Sequence, residues 1–333
     1  MITELELPAI FQDELYPAID LEIDSAVDRL DDSLGLTKKV LHQFLEVRRT
    51  KQVMRAVPLL IFGALTGDLR PAVPIAAVNI LWYTAGRLID NTTDGAVEEA
   101  SAGLDVAEAM MAAILCLHSV PAEIIARLDL PASTLSLLAA DLSYGSTSGV
   151  EGQLREFRAT PETVRPVEVL RCYRRKTGGG YAMAGAMAAR LAGADQPVAE
   201  RWRDFGFTFG SLRQLRNDQE DLATGREEDL RNQVLTFLFA SVLTRSTGLD
   251  RGRLLALRAQ APLSAQARGQ LRELLLTTEN VCLYVQEIEK VRARAHGLLD
   301  SFGDRAPWLA RLRDFVDVSA RPLPLFQQIL GQS

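Results

Sequence analysis

Residues 210–222 read GSLRQLRNDQEDL, and residues 86–95 read GRLIDNTTDG. On a helix, positions four apart share a face, so Asn217 and Asp221 project together with Asp218 beside them. Asp90 and Asp94 form a second such pair, which Glu98 extends by one turn where the helix persists. Like charges at this spacing weaken an isolated helix unless a cation sits between them. A hard divalent ion such as Mg²⁺ meets that need, because it takes oxygen ligands and bridges one or two carboxylates to substrate phosphates. Each stretch also has a plainer reading. DNTTDG is rich in turn formers and fits an exposed loop, and RNDQEDL fits a solvated helix face.

The 333 residues are 47% apolar and 24% charged, with a formal net charge of −6. That is the composition of a soluble globular protein with ample core. The acidic balance argues against nucleic acid as a partner, since phosphate binding needs a basic footprint. Cys116, Cys172 and Cys282 lack the paired spacing of a zinc site or disulfide framework and read as buried thiols in a reducing cytoplasm. His42, His118 and His296 are equally scattered and read as structural. The N-terminal MITELELPAIFQDEL is acidic where a signal peptide would be basic. The longest uncharged run, 71–86, is too short to span a bilayer, so no membrane span is expected.

Apolar residues recur at three- and four-residue steps in AVDRLDDSLGLTKKVLHQFLEVRR, LDVAEAMMAAILCLHSV and ENVCLYVQEIEKVRARAHGLLDSF. Strand-like alternation is missing. Breaks at Gly67, Pro121, Pro131, Pro161, Gly178–Gly180, Pro197, Gly225, Pro262 and Pro307 divide the chain into roughly ten to twelve helices. The expectation is an all-α fold, one large antiparallel helical bundle over residues 1–333. Residues 1–36 form an acidic helical extension, either a solvated helix or a cover over a site.

Between the two acidic stretches lies RRKTGGGYAMAGAMAARLAGA, a cationic segment running into a small-residue helix. The ordered set resembles the trans-isoprenyl diphosphate synthases and the class I terpene synthases that share their fold. The family's first Asp-rich motif matches Asp90, Asn91 and Asp94; its Gly-Gln pair matches Gly152–Gln153; its Lys-Thr pair matches Lys176–Thr177. The second Asp-rich segment matches Gly210, Gln214, Asn217, Asp218 and Asp221, and an Arg-Pro pair matches Arg70–Pro71.

The resemblance implies a bundle with a central apolar cavity and chemistry on an allylic prenyl diphosphate. Up to three Mg²⁺ ions, with Mn²⁺ as substitute, would be held by Asp90, Asn91, Asp94, Asn217, Asp218 and Asp221. Lys176, with Arg171 and Arg175 as further candidates, and Gln214 would face the diphosphate. Gln153 and Thr177 would border the pocket. A homodimer is also implied. The family uses bulky residues four and five positions before the first motif as a floor for the prenyl tail. Here those positions are Gly86 and Ala85, and the next large residues are Tyr83 and Trp82, roughly 11–12 Å from Asp90 along the axis. A C15 or C20 chain is therefore expected over C10.

The departures concern the second substrate. Family members that elongate with isopentenyl diphosphate carry Lys and Arg before the Arg-Pro pair, where this chain has Gly67 and Asp68. They also carry an Arg pair after the first motif, where the stretch 95–126 holds no Lys or Arg and places Glu98 and Glu99. A second diphosphate there would be repelled. The expectation is a terpene synthase on an elongase frame. The alternatives are a prenyltransferase to another acceptor, a prenyl diphosphate synthase, and a non-catalytic subunit of a heteromeric synthase.

Overall fold

The computed structural model describes residues 7–46, 52–93, 101–303 and 307–331, and among them there is no strand. In chain order the α-helices are α1 Tyr16–Asp28, α2 Gly35–Phe44, α3 Gln52–Thr66, α4 Val73–Thr93, α5 Val106–Leu117, α6 Ser119–Ala126, α7 Ala132–Arg158, α8 Pro166–Leu191 and α9 Gln196–Thr224. They continue with α10 Glu228–Arg231, α11 Phe237–Arg245, α12 Gly248–Gln260, α13 Ala265–Leu275, α14 Thr278–Asp300, α15 Trp308–Ala320 and α16 Pro324–Leu330. Two compact units result. One comprises Met1–Thr147, Gly179–Gly206 and Leu298–Phe315, the other Ser148–Gly178, Phe207–Gly297 and Val316–Ser333.

In the first unit, α4 is the hub and packs against α1, α3, α5 and α6. Ile75, Val78, Ile80, Leu81, Ala85 and Leu88 have no exposed surface. A helix enclosed on several sides must be apolar all round, which is why residues 71–86 carry no charge. The segments Arg70–Thr92 and Val106–Ala126 are long and apolar enough to cross a membrane by length and composition, a test that the buried core helices of globular proteins also pass. Their most apolar windows are 67% and 44% buried in the fold.

The acidic N-terminal stretch packs through its apolar side. A π-helical turn, Phe11–Leu15, leads into α1, and Phe11, Leu15, Ile19, Ile23 and Val27 are buried at helical spacing. Arg55 anchors α3 to α1 by a fork of hydrogen bonds to Asp20, 2.7 and 3.0 Å long.

Gly178–Gly180 is no break, because α8 runs through it without interruption. These glycines serve close approach. A Cβ at Gly180 would lie 2.4 Å from the Trp82 ring, and one at Gly178 would lie 2.9 Å from the carbonyl oxygen of Phe207. Pro121 and Pro197 also fall inside helices, each within its first turn, where a missing N–H costs nothing. The breaks at Gly67 and Gly225 are real, with φ of +91° and +76°.

The second unit is tied by polar contacts from α9. Tyr284 on α14 donates to the Leu215 carbonyl at 2.6 Å, Arg216 to the Arg321 carbonyl at 2.7 Å, and the Leu323 N–H to Gln219 at 3.1 Å. Thr236 caps α11 and Ser264 caps α13, each accepting an N–H from the first turn.

Candidate active site

In the first unit, Asp90 and Asn91 occupy the last turn of α4, which continues to Thr93, so DNTT is helical. Asp94, Glu98 and Glu99 lie outside the described residues. Trp82, Gly86 and Asp90 follow one another at four-residue steps on one face. Trp82 is 8% exposed and seats on Gly180. Tyr83 is half-buried. Ala85 is fully buried, whereas a Cβ added at Gly86 would meet nothing within 4 Å. Free space beside α4 therefore opens at Gly86.

Arg70 is also in this unit. Its guanidinium bonds Glu14 at 2.5 Å, and that bond is the main reason its pKa rises. Asp68, itself exposed, accepts the N–H groups of Leu69 and Arg70. Arg70 thus stands between two acids.

The second unit gathers more of the motif residues. Gly152 lets α7 touch α8, since a Cβ there would lie 2.2 Å from the Lys176 nitrogen. That approach brings Lys176 to Glu156 at 2.7 Å, and Gln153 bonds the same Glu156 oxygen at 3.2 Å. Thr177 donates to Gln214 at 2.6 Å, and Gln214 donates to Asp218 at 3.1 Å. The hydroxyl of Tyr173 donates to the other Asp218 oxygen at 2.5 Å. Asp221 accepts the N–H groups of Glu228 and Asp229 at 2.9 and 3.3 Å, folding the turn after α9 back onto the motif. Asn217 is exposed.

Burial pushes the Asp218 carboxyl up to about 7; repulsion from Glu156 and Asp221 adds to the rise, while hydrogen bonds from Tyr173 and Gln214 oppose it. Asp229 is raised well above the ordinary value, first by burial and then by Asp218, Asp221 and Glu156. Burial also raises Asp221, against its two backbone bonds and Arg226. Buried carboxylates that repel one another in this way favour protons or a cation.

Arg171 does not join this cluster. Five residues from Lys176, it falls on the exposed side of α8 and pairs with Glu168. Arg174 and Arg175 stack over the Phe207 ring, at 4.3 and 5.8 Å to its centroid. Glu156, Asp229 and Tyr173 escaped the sequence reading. Glu156 carried a usable signal, standing one turn after Gln153; Asp229 and Tyr173 had none beyond their residue type.

Among the described residues no three His, Cys, Asp or Glu side chains form a ready-made ion cage. Mg²⁺ keeps waters and substrate phosphates among its ligands and needs only one or two carboxylates. The oxygen-only donor set and the strained charge of Asp218, Asp221 and Asp229 suit such an ion.

No family model matches the sequence, and no curated protein matches it. Solved structures do match by fold. A geranylgeranyl pyrophosphate synthase superposes with a TM-score of 0.80 at 17% identity, covering 93% of this chain and 98% of the other. One from Corynebacterium glutamicum, complexed with isoprenyl diphosphate and magnesium, gives 0.79 at 17% identity over 96% and 100%. A polyprenyl synthase from Caulobacter crescentus, complexed with calcium and isoprenyl diphosphate, gives 0.78 at 18% over 94% and 96%. The chain therefore has the all-α isoprenoid synthase fold of the trans-isoprenyl diphosphate synthases.

Proposed function

We propose that this chain is a Mg²⁺-dependent enzyme that ionises an allylic prenyl diphosphate and transfers the prenyl group to an acceptor other than isopentenyl diphosphate. The observation that carries it is the assembly in the second unit. Thr177, Gln214 and Asp218 form one hydrogen-bonded chain, Lys176 bonds Glu156, whose charge reaches Asp218, and Asp221 and Asp229 add buried negative charge. The fold shared with synthases seen in complex with isoprenyl diphosphate supports this reading.

Asp218 and Asp221, with Asn217, and Asp90, Asn91 and Asp94 on the other motif, are the metal ligands in this proposal. Bound Mg²⁺ supplies Lewis-acid neutralisation of the charge that develops on the departing diphosphate. Lys176 leaves Glu156 to bind a diphosphate oxygen, a charge-assisted hydrogen bond of the kind that strengthens as the leaving group gains charge. Gly86 leaves room for the first part of a C15 or C20 tail. The protein acts in the cytoplasm as a homodimer, and both units belong to one synthase domain.

A second reading is a terpene synthase that cyclises or eliminates the cation without any acceptor. The acid-bracketed Arg70 favours it, because that side chain would otherwise serve a second diphosphate. Purified protein incubated with C10, C15 and C20 diphosphates and Mg²⁺, with and without isopentenyl diphosphate, tests both. Release of diphosphate supports ionisation. A hydrocarbon or alcohol product without acceptor selects the terpene synthase, no release from any substrate overturns that second reading, and failure to bind any of the diphosphates with Mg²⁺ overturns both.

A further inference from the structure

Tyr173 is 2% exposed, and its hydroxyl makes two hydrogen bonds. It donates its single proton to Asp218 Oδ2 at 2.5 Å and accepts the N–H of Phe237 at 3.0 Å. The backbone N–H cannot accept, so the phenol oxygen accepts there and its single proton is left for the ionised form of Asp218, the form that binds a cation. Phe237 is the first residue of α11, just after the cap at Thr236. The other oxygen, Asp218 Oδ1, is fixed from the opposite side by Gln214, itself fixed by Thr177. Two of the carboxylate's roughly four lone-pair sites are thus taken by the protein, leaving the rest for a cation.

We propose that Tyr173 is a positioning residue that sets Asp218 for Mg²⁺ and diphosphate and couples its occupancy to the first turn of α11. This rests on the assignment of Asp218 as a metal ligand. A cation drawing charge from Oδ2 weakens it as an acceptor, and the change passes through one oxygen atom to the Phe237 N–H. Burial holds the phenol well above its ordinary pKa, so the hydroxyl remains a donor at working pH. Outer partners that orient metal ligands typically change metal affinity about 10- to 100-fold when removed.

Full-length wild type, Tyr173→Phe and Tyr284→Phe are titrated with Mn²⁺ in the presence of inorganic pyrophosphate, and free Mn²⁺ is counted by electron paramagnetic resonance. Tyr284 is the control: an equally buried tyrosine whose hydroxyl donates to the Leu215 carbonyl instead of a carboxylate. Tyr173→Phe is expected to weaken Mn²⁺ binding about 10- to 100-fold while Tyr284→Phe leaves it unchanged. Equal affinity of folded Tyr173→Phe and wild type, or an equal loss in both variants, overturns the role of Tyr173 while the ligand assignment stands. Absence of Mn²⁺ binding by wild type overturns the ligand assignment and the proposal with it. Should Tyr173→Phe not fold, hydrogen exchange in wild type decides. Exchange at the Phe237 amide is expected to change on loading with Mn²⁺ and pyrophosphate, and an unchanged amide overturns the coupling.

Discussion

Asp218 accepts hydrogen bonds on both oxygens, yet burial and its acidic neighbours hold its carboxyl near 7. An unfolded Asp titrates at about 3.9. The folded protein therefore holds a proton that the unfolded chain has released. Its stabilising effect is full below about pH 4 and is lost as the pH rises toward 7. Metal-free protein should lose stability over that window, read as a falling urea midpoint in EDTA, and Asp218→Asn should flatten the slope. An unchanged slope would mean that Asp218 is ionised in the metal-free protein. The same carboxylate is expected to matter for turnover. Asp218→Ala should cut diphosphate release by a factor on the order of 10² or more with the fold intact, the scale for losing an electrostatic contact to the reacting charge. Near-normal release would reduce this cluster to structure.

At the scale of elements, glycine decides what the helices can do. Gly152→Ala places a methyl 2.2 Å from the Lys176 nitrogen, so α7 and α8 must separate. The cost should be about 1–3 kcal/mol, seen as a lower thermal midpoint, with weaker pyrophosphate binding because Lys176 moves with its backbone. Gly86 and Ala85 are adjacent but differ in surroundings. Gly86→Phe has room and should shorten the preferred prenyl substrate, compared by kcat/KM on C10, C15 and C20 diphosphates. Ala85→Phe enters a fully buried position and should destabilise by about 1–3 kcal/mol or more. A chain-length preference unmoved by Gly86→Phe would show that the open space beside α4 does not hold the tail. The helical register explains why position decides: one residue turns a side chain by about 100°, from open space into the core.

At the scale of the whole molecule, the acceptor side sets the reaction class. Arg70 is answered by Glu14 and Asp68 within its own unit. An allylic primer with isopentenyl diphosphate should therefore give no efficient elongation, checked by chromatography of the dephosphorylated products. A longer linear prenyl diphosphate would restore the chain-elongating reading. The described residues form sixteen α-helices, more than the roughly ten to twelve expected. The all-helical nature, the helix ends at Gly67 and Gly225 and the order of the motifs were legible in the sequence, because helical periodicity, turn glycines and i, i+4 spacing are local properties. The glycine triplet in α8 misled for the same reason. Local propensity marks Gly178–Gly180 as a break, but Trp82 and Phe207 need a surface without Cβ there, and packing outweighs the roughly 1 kcal/mol helix penalty of each glycine. Asp90 and Asp218 stand out by spacing, and Lys176 by its resemblance to the family's Lys-Thr pair. Which basic residue meets which acid could not be read that way: Lys176 bonds Glu156, while Arg171 turns to Glu168. Asp229 and Tyr173 became visible only when α7, α8, α9 and the turn after α9 met, and Glu156, one turn after Gln153, found its partners there. Their significance lies in burial and mutual repulsion, which depend on distances between segments far apart in the chain, and no local pattern encodes those distances.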